Sequence, residues 1–89
     1  MKVSKLVNNA TVDILLFISE HGPVRHREIS KLVKSRGTLS VVLRELLEDE
    51  LIARYVDVRE SPVKTYYVVT EKGKHVAKKF VELKELLSS

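Results

Sequence analysis

The sequence has 89 residues and a formal net charge of +4, from 16 lysines and arginines against 12 aspartates and glutamates. A chain of this length forms one small domain that buries about 60 to 65% of its unfolded surface, so we expect a partner subunit to contribute to its stability. The absence of cysteine excludes a disulfide scaffold, a thiolate zinc site and a cysteine nucleophile.

The hydropathy of the chain predicts a cytoplasmic protein without a signal peptide or a membrane span. The N-terminal segment MKVSKLVNNA is polar, and the longest apolar run covers only residues 14–18. The sequence lacks Cys, Gln and Trp and is rich in Lys and Glu, a composition that fits a thermophilic source.

The positive charge is concentrated in one part of the chain. Residues 21–44 contain six bases and one acid, whereas the remainder contains 10 bases and 11 acids. A localised basic segment is typical of a surface that binds nucleic acid, although a solvated basic surface is the alternative.

The first predicted helix begins at Asn9 or Thr11, either of which can cap it, and ends near Glu20 before Gly22 and Pro23. Residues 1–7 receive no assignment. The helix is apolar on two sides, and in a small monomer we expect only one of them to be covered. The second side is a candidate subunit contact, unless a neighbouring helix of the same chain covers it. The apolar residues on this second side of the helix are Ile14, Phe17 and Ile18.

Residues 23–25 are extended, and residues 26–34 form a second predicted helix. Its inward positions are Ile29, Leu32 and Val33, and its outward positions are Arg27, Lys31 and Lys34. A tight turn leads to a third helix at residues 36–50, for which Thr38 is the predicted cap. The two helices form a helix-turn-helix.

The third helix has two different exposed halves. Its core face carries Val42, Leu43, Leu46 and Leu47. The opposite face of the first two turns carries only short or basic side chains, Ser40, Val41 and Arg44, whereas the rear half carries Glu45, Glu48, Asp49 and Glu50. This polarity predicts a recognition helix, residues 38–50, that enters the DNA major groove by its N-terminal end.

Residues 51–58 and 65–70 are rich in branched and aromatic residues, and they predict a two-stranded β-hairpin. The predicted wing spans residues 57–64, and its segment VRESPVK contains Arg59 and Lys64, opposed only by Glu60. Directly after a helix-turn-helix, such a hairpin is a wing that meets the adjacent DNA backbone or minor groove. The alternative is a solvated loop.

Thr70 caps the last predicted helix, residues 71–89, and Glu71 in the first turn suits the helix dipole. Apolar residues recur along it at a spacing of the coiled-coil type. We expect this helix to mediate dimerisation by packing with the first helix of a partner, unless it folds back on its own domain. The predicted dimer interface comprises Ile14, Phe17, Ile18, Val76, Phe80, Leu83 and Leu87.

No residues in the sequence form a pattern typical of catalysis, metal binding or a cofactor site. His21, His26 and His75 are scattered, and Gly22, Gly37 and Gly73 cannot build a phosphate loop. We therefore expect no enzyme activity, no metal and no cofactor.

Three segments in order resemble the HxlR family of winged-helix transcriptional regulators, and more distantly the MarR and PadR families. The segments are GPVRHREI, LRELLEDELIAR and SPVKTYYVVTEKGKHV, and the family patterns are GPLRFxEL, LxxLxxDGLIxR and a proline-containing wing followed by YxLTxxG. The match runs from about residue 22 to residue 76.

The resemblance implies a homodimer that binds operator DNA with the third helix in the major groove. By position, Ser40, Val41 and Arg44 would face the groove, and Arg59 and Lys64 would be wing contacts. The chain lacks the cysteine and the Gly-Lys-Trp stretch that HxlR proteins commonly carry near the first helix, so thiol sensing is not expected. Glu50 stands where the pattern has Gly, at a cost of about 1 kcal/mol if that position is left-handed.

The sequence thus predicts an α+β fold: a winged helix-turn-helix at residues 8–70, with a three-helix core and a two-stranded wing, followed by a dimerisation helix at residues 71–89 in the same domain. The expected partners are a second copy of the chain and a pseudo-palindromic DNA duplex. The alternative function is protein contact within a transcription or replication complex, which needs an apolar face on the third helix, where only Val41 is apolar. The predicted DNA-binding residues are Arg25, Arg27, Lys34, Arg36, Thr38, Ser40, Val41, Arg44, Arg59 and Lys64.

Overall fold

The computed structural model describes residues 9–88, so residues 1–7, which received no assignment, lie outside the described part of the chain. The element order confirms the predicted α+β winged helix. The elements are α1 (Asn9–His21), β1 (Val24–Arg25), α2 (His26–Ser30), α3 (Arg36–Glu48), β2 (Ile52–Asp57), β3 (Lys64–Val69) and α4 (Glu71–Ser88).

The sheet has three antiparallel strands in the order β1-β3-β2, rather than the two strands that the sequence predicts. The extended segment before α2 pairs with β3, with Val24 opposite Tyr67. A two-residue strand is too short to show an alternating pattern, so this pairing has no sequence signal. On the outer face of the hairpin, the rings of Tyr55 and Tyr66 stack with centroids 5.3 Å apart.

Helix α1 lies at the centre of the domain, where it contacts α3, α4 and β3. These three elements cover it on both sides, and Ile14, Leu15 and Ile18 have no solvent exposure. The prediction that Ile14 and Ile18 lie in a dimer interface is therefore wrong, because the chain's own elements already cover them. Thr11 is also buried inside the helix and cannot be its cap.

Helix α2 ends at Ser30, four residues earlier than predicted. The Ser30 hydroxyl donates a hydrogen bond to the Arg27 carbonyl oxygen at 2.7 Å, and the Leu32 amide closes a turn on the Ile29 carbonyl oxygen at 3.0 Å. Because the chain leaves the helix here, Leu32 is 45% exposed and is not the core residue that was predicted. Ile29 is fully buried, and Val33 packs against the core.

Helix α3 ends at Glu48, and Glu50 beyond it adopts the left-handed conformation, with φ of 59°. The Leu51 amide bonds to the Leu46 carbonyl oxygen at 2.9 Å, and the Glu50 amide bonds to the Leu47 carbonyl oxygen at 3.0 Å. This pair of bonds is the Schellman motif, which usually takes glycine at the left-handed position. Glu50 therefore occupies a position that strains its backbone.

The start of α4 is fastened to this turn. The Thr70 hydroxyl donates to the Glu50 carbonyl oxygen at 2.6 Å and accepts from the Gly73 amide at 2.9 Å, which confirms Thr70 as the cap. The Lys72 ammonium donates to the Asp49 carbonyl oxygen at 2.9 Å. The end of α3 and the start of α4 therefore form one connected unit.

Candidate nucleic-acid interface

Helix α3 begins at Arg36, and its cap is Ser35 rather than the predicted Thr38. The Ser35 side-chain oxygen accepts from the Thr38 amide at 3.2 Å, so Thr38 lies in the first turn as the donor. The sequence offered Ser35 as a signal, since serine is among the best capping residues. The third helix therefore starts at Arg36, as predicted, and the predicted recognition segment from Thr38 begins inside its first turn.

One face of α3 is fixed in the core, and the other is open. Its buried residues are Leu39, Val42, Leu43 and Leu46. The predicted contact residues Ser40, Val41 and Arg44 are all exposed on the opposite side, together with Arg36 and Thr38. The first two turns carry no acid, which leaves this end of the helix open to an anionic partner.

The basic residues of the preceding segment are also at the surface. Arg27, Lys31 and Lys34 are exposed, and Arg25 is half-buried. The Arg25 amide bonds to the Glu28 side chain at 3.0 Å, which fixes the start of α2. Glu28 is thus used within the helix start, and it is the one acid in this basic stretch.

Both cations predicted at the wing are already in ion pairs. The Arg59 guanidinium donates from Nε and Nη2 to the two carboxylate oxygens of Asp57, each at 3.0 Å, and the Arg59 amide donates to the same side chain at 3.0 Å. These bonds lower the pKa of Asp57 to about 2, and the carboxylate raises the pKa of Arg59. The Lys64 ammonium lies 3.2 Å from Glu60. The wing is therefore held in a defined shape by its own charges.

A cleft of about 310 Å³ separates α3 from the inner face of the hairpin. Arg44 stands on the α3 side, and Arg54 of β2 stands on the sheet side, directly opposite the buried Tyr67 on β3. Arg54 is not among the residues that the sequence predicts for DNA binding. The one sequence feature that could have identified Arg54 is its position on β2. It is a charged residue that shares one face of the strand with the apolar residues Ile52 and Val56. The cleft is lined by His26, Ser40, Leu43, Arg44, Leu47, Glu48, Arg54 and Tyr67.

A second groove, of about 320 Å³, runs between α1, the turn after α2 and α4. Leu16, Phe17 and Leu32 form its apolar floor, and Lys84 of α4 lies 3.7 Å from Asp13 of α1 across it. The groove therefore lies between α1 and α4, which are the helices that the sequence predicts for dimerisation.

The predicted α4 stripe divides into a packed half and a solvent-exposed half. Val76 and Phe80 are half-buried against the domain's own core, as is Phe17 of α1. Leu83 and Leu87, by contrast, are 43% and 78% exposed. Leu86, which the prediction omitted, is 73% exposed. The exposed apolar surface lies at the C-terminal end of the helix.

In the part of the chain that the structure describes, no three histidine or acidic side chains form a group that could hold a metal ion. None of the helices within residues 9–88 combines the length and the apolar composition that a membrane span requires.

Comparison with known proteins places this geometry among transcriptional regulators. The model of the HxlR-like helix-turn-helix family matches residues 6–89. The HTH-type transcriptional regulator YodB of Bacillus subtilis is 33% identical over 72 residues, which cover 79% of this chain and 63% of YodB. This chain thus spans just under two thirds of the length of that relative.

Solved structures show the same fold. Diamide-treated YodB from B. subtilis is 31% identical with a TM-score of 0.76, over 92% of this chain and 81% of that chain. A transcriptional regulator homologue from Pyrococcus horikoshii is 24% identical with a TM-score of 0.82, over 99% of this chain and 89% of that one. A regulator of the MarR family from Porphyromonas gingivalis is 20% identical with a TM-score of 0.80, over 98% of this chain and 85% of that one. The last two likenesses concern the fold alone.

Proposed function

Because the chain belongs to the HxlR-like helix-turn-helix family, we propose that it regulates transcription by binding duplex DNA through α3. The exposed face of α3 carries this proposal. Its first two turns present Ser40, Val41 and Arg44 without a neighbouring acid, and short side chains allow the helix backbone to approach base edges. Within residues 9–88, no ion pair engages Arg44, so its guanidinium is available for a base or a phosphate.

The acids at the rear of α3 define how the helix enters the groove. Glu45, Glu48 and Asp49 lie in its last turn or just beyond it, where they would repel phosphate. An insertion by the N-terminal end keeps these acids outside the groove and places Arg36 and Arg44 nearest to the DNA.

The wing supports the same arrangement despite its internal ion pairs. An arginine has five N–H donors, and Asp57 engages two groups of Arg59, so the remaining donors stay available for a phosphate. The Lys64 ammonium likewise keeps donors that Glu60 does not use. The Asp57 carboxylate fixes the direction of the Arg59 guanidinium, which reduces the entropy that DNA binding would cost.

The active form that we propose is a homodimer. Leu83, Leu86 and Leu87 are apolar and exposed at the end of α4, and a second copy of this helix with the α1–α4 groove would cover them. A two-fold dimer places two α3 helices in successive major grooves about 34 Å apart, which requires a pseudo-palindromic operator.

The proposal is tested by selecting bound sequences from a random duplex library and then comparing two variants on the selected duplex and on a scrambled one. Arg44→Ala should lose sequence preference, because a base-edge contact discriminates sequences. Lys64→Ala should weaken binding to both duplexes by the same factor, because a phosphate contact does not discriminate between sequences. A library that yields no enriched sequence contradicts the proposal.

A protein-binding function is the second candidate, and the wing carries the observation that favours it. Val58 and Val63 at the wing tip are exposed apolar residues. The face of α3 has Val41 as its one exposed apolar residue among basic and hydroxyl side chains, and this composition favours DNA. Unchanged DNA affinity in Arg44→Ala and Lys64→Ala alike would favour the protein-binding function instead.

A further inference from the structure

The cleft between α3 and the hairpin is lined by two arginines that come from different elements. Arg44 stands on α3 and Arg54 stands on β2, on the two sides of a space of about 310 Å³. Among the described residues, neither guanidinium has a carboxylate partner. The wing cations Arg59 and Lys64, by contrast, are both paired. The unpaired positive charge of the hairpin therefore lies inside the cleft.

With α3 in the major groove and the wing at the minor groove, as proposed, the cleft would lie on the path of a DNA backbone. In a duplex, one sugar-phosphate backbone separates each major groove from the adjacent minor groove. A protein that places α3 in the major groove and the wing at the minor groove must straddle that backbone. The space between α3 and the hairpin is then the space through which its phosphates pass.

From this coincidence we infer that the cleft binds a phosphodiester of the straddled backbone, with Arg54 donating to it from the hairpin wall, while Arg44 on the α3 wall keeps its base-edge contact and adds positive charge to the cleft. The inference rests on the proposed DNA-binding function and adds Arg54 as a positioning contact for the duplex. A guanidinium presents two parallel N–H groups that match a phosphate, and the position of Arg54 on a paired strand fixes the direction of this fork. The contact carries no sequence information, and it sets how deeply α3 enters the groove.

The acid in the lining limits the net positive charge of the site. Glu48 lies at the α3 end of the cleft, one helical turn after Arg44, and two arginines against this one acid leave the lining positive. The site thus accepts a singly charged phosphodiester near Arg54. Neutralising the acid by Glu48→Gln should strengthen binding to every duplex.

The test is the salt dependence of binding to a fluorescent duplex of random sequence, with Arg54→Gln as the variant. Glutamine keeps much of the aliphatic part of the arginine side chain, opposite Tyr67, and removes the charge. The slope of log affinity on log salt should become shallower by about 0.9 for each subunit that loses one phosphate contact. The advantage of the wild type over the variant should then shrink about 3.5-fold per subunit between 50 and 200 mM salt.

Two further variants serve as controls. Lys78→Gln removes the same charge from an exposed position on α4, outside the cleft, and its slope should stay close to that of the wild type. Arg54→Lys keeps the charge and loses the fork, so its slope should be retained while its affinity falls. Thermal unfolding of each variant verifies that the domain is intact.

The possible outcomes separate this inference from the proposed function. A wild-type slope near zero overturns the proposed function, and the inference falls with it. A steep wild-type slope that Arg54→Gln leaves unchanged, or that Lys78→Gln reduces equally, overturns the inference alone. Inorganic phosphate added at constant ionic strength provides the last arm. If it raises the melting temperature of the wild type but not of Arg54→Gln, while the DNA slopes are equal, the cleft is a small-anion site and the inference is wrong.

Discussion

Replacing Gly73 by alanine should destabilise the domain, although alanine is the better helix former. A Cβ at this position would overlap the Leu51 carbonyl oxygen and would lie 2.9 Å from the carbonyl carbon and 2.7 Å from Cγ2 of Val69. Ordinary contact begins at 3.4 Å, and the overlap with the carbonyl oxygen would require the backbone to move by about 1 Å or more. The Leu51 carbonyl cannot move freely, because the Thr70 amide holds it at 3.0 Å.

The expected loss follows from these distances. Overpacking against fixed backbone costs about 1 to 3 kcal/mol, and the intrinsic preference of alanine over glycine in a helix returns about 1 kcal/mol or less. A domain of this size is stable by about 4 to 13 kcal/mol, so the net loss is measurable. Each kcal/mol corresponds to a fall in melting temperature of about 4 to 8 °C.

The matched control is Gly37→Ala in the first turn of α3. There a Cβ meets only the Ser35 Oγ, at 3.7 Å, so stability should be unchanged or increase by up to about 1 kcal/mol. Urea unfolding of both variants at one protein concentration gives the comparison, since the stability of a dimer depends on concentration. A Gly73→Ala domain as stable as the wild type, or an equal loss in Gly37→Ala, would refute the packing argument.

Three further predictions concern the turn, the dimer and the wing. Glu50→Gly should raise the free energy of unfolding by about 1 kcal/mol, because φ of 59° suits glycine, and a lower urea midpoint would contradict this. Leu87→Asp should convert the proposed dimer to a monomer in sedimentation velocity without unfolding it, since this side chain is 78% exposed; a monomeric wild type would remove the basis for the interface. The pKa of Asp57 falls from 3.8 to about 2 on folding, so its ion pair stabilises the protein above about pH 4, and this stabilisation is lost as the pH drops towards 2. Asp57→Asn should therefore be less stable than the wild type at pH 6, and the difference should shrink as the pH falls towards 2; a difference as large at pH 2 as at pH 6 would indicate another cause.

Features determined by local chemistry could be predicted from the sequence. The exposed face of α3 follows from helical spacing, and Thr70 was identified as a cap because threonine precedes Glu71 and an apolar stripe. The family pattern has glycine at the position of Glu50, which raises a left-handed conformation there as one alternative, and the structure has that conformation. The hairpin also followed from its alternating and branched residues.

Features determined by tertiary contacts could not be predicted in this way. Ile14 and Ile18 show a second apolar face on α1, and the sequence does not reveal that α3, α4 and β3 together cover it. Leu32 is three residues after Ile29, which is a helical spacing, but α2 ends at Ser30, so Leu32 lies outside the helix. The predicted interface at α4 consequently moves towards its C-terminal end.

The ion pairing in the wing also could not be predicted from the sequence. Asp57 and Arg59 are two residues apart, a spacing that does not pair charges on a helix, and their bidentate contact forms in the turn after β2. The sequence does not single out Arg54, because only the pairing of β2 with β3 places it across the cleft from Arg44.

The central claim is that the exposed face of α3 and the basic residues around it bind duplex DNA. It is tested most directly by an equilibrium titration of the wild-type protein with a duplex at rising salt concentration. Several neutralised phosphates should give a slope of log affinity on log salt of about −0.9 for each phosphate contacted. A slope near zero, or no binding at low salt, would contradict the claim.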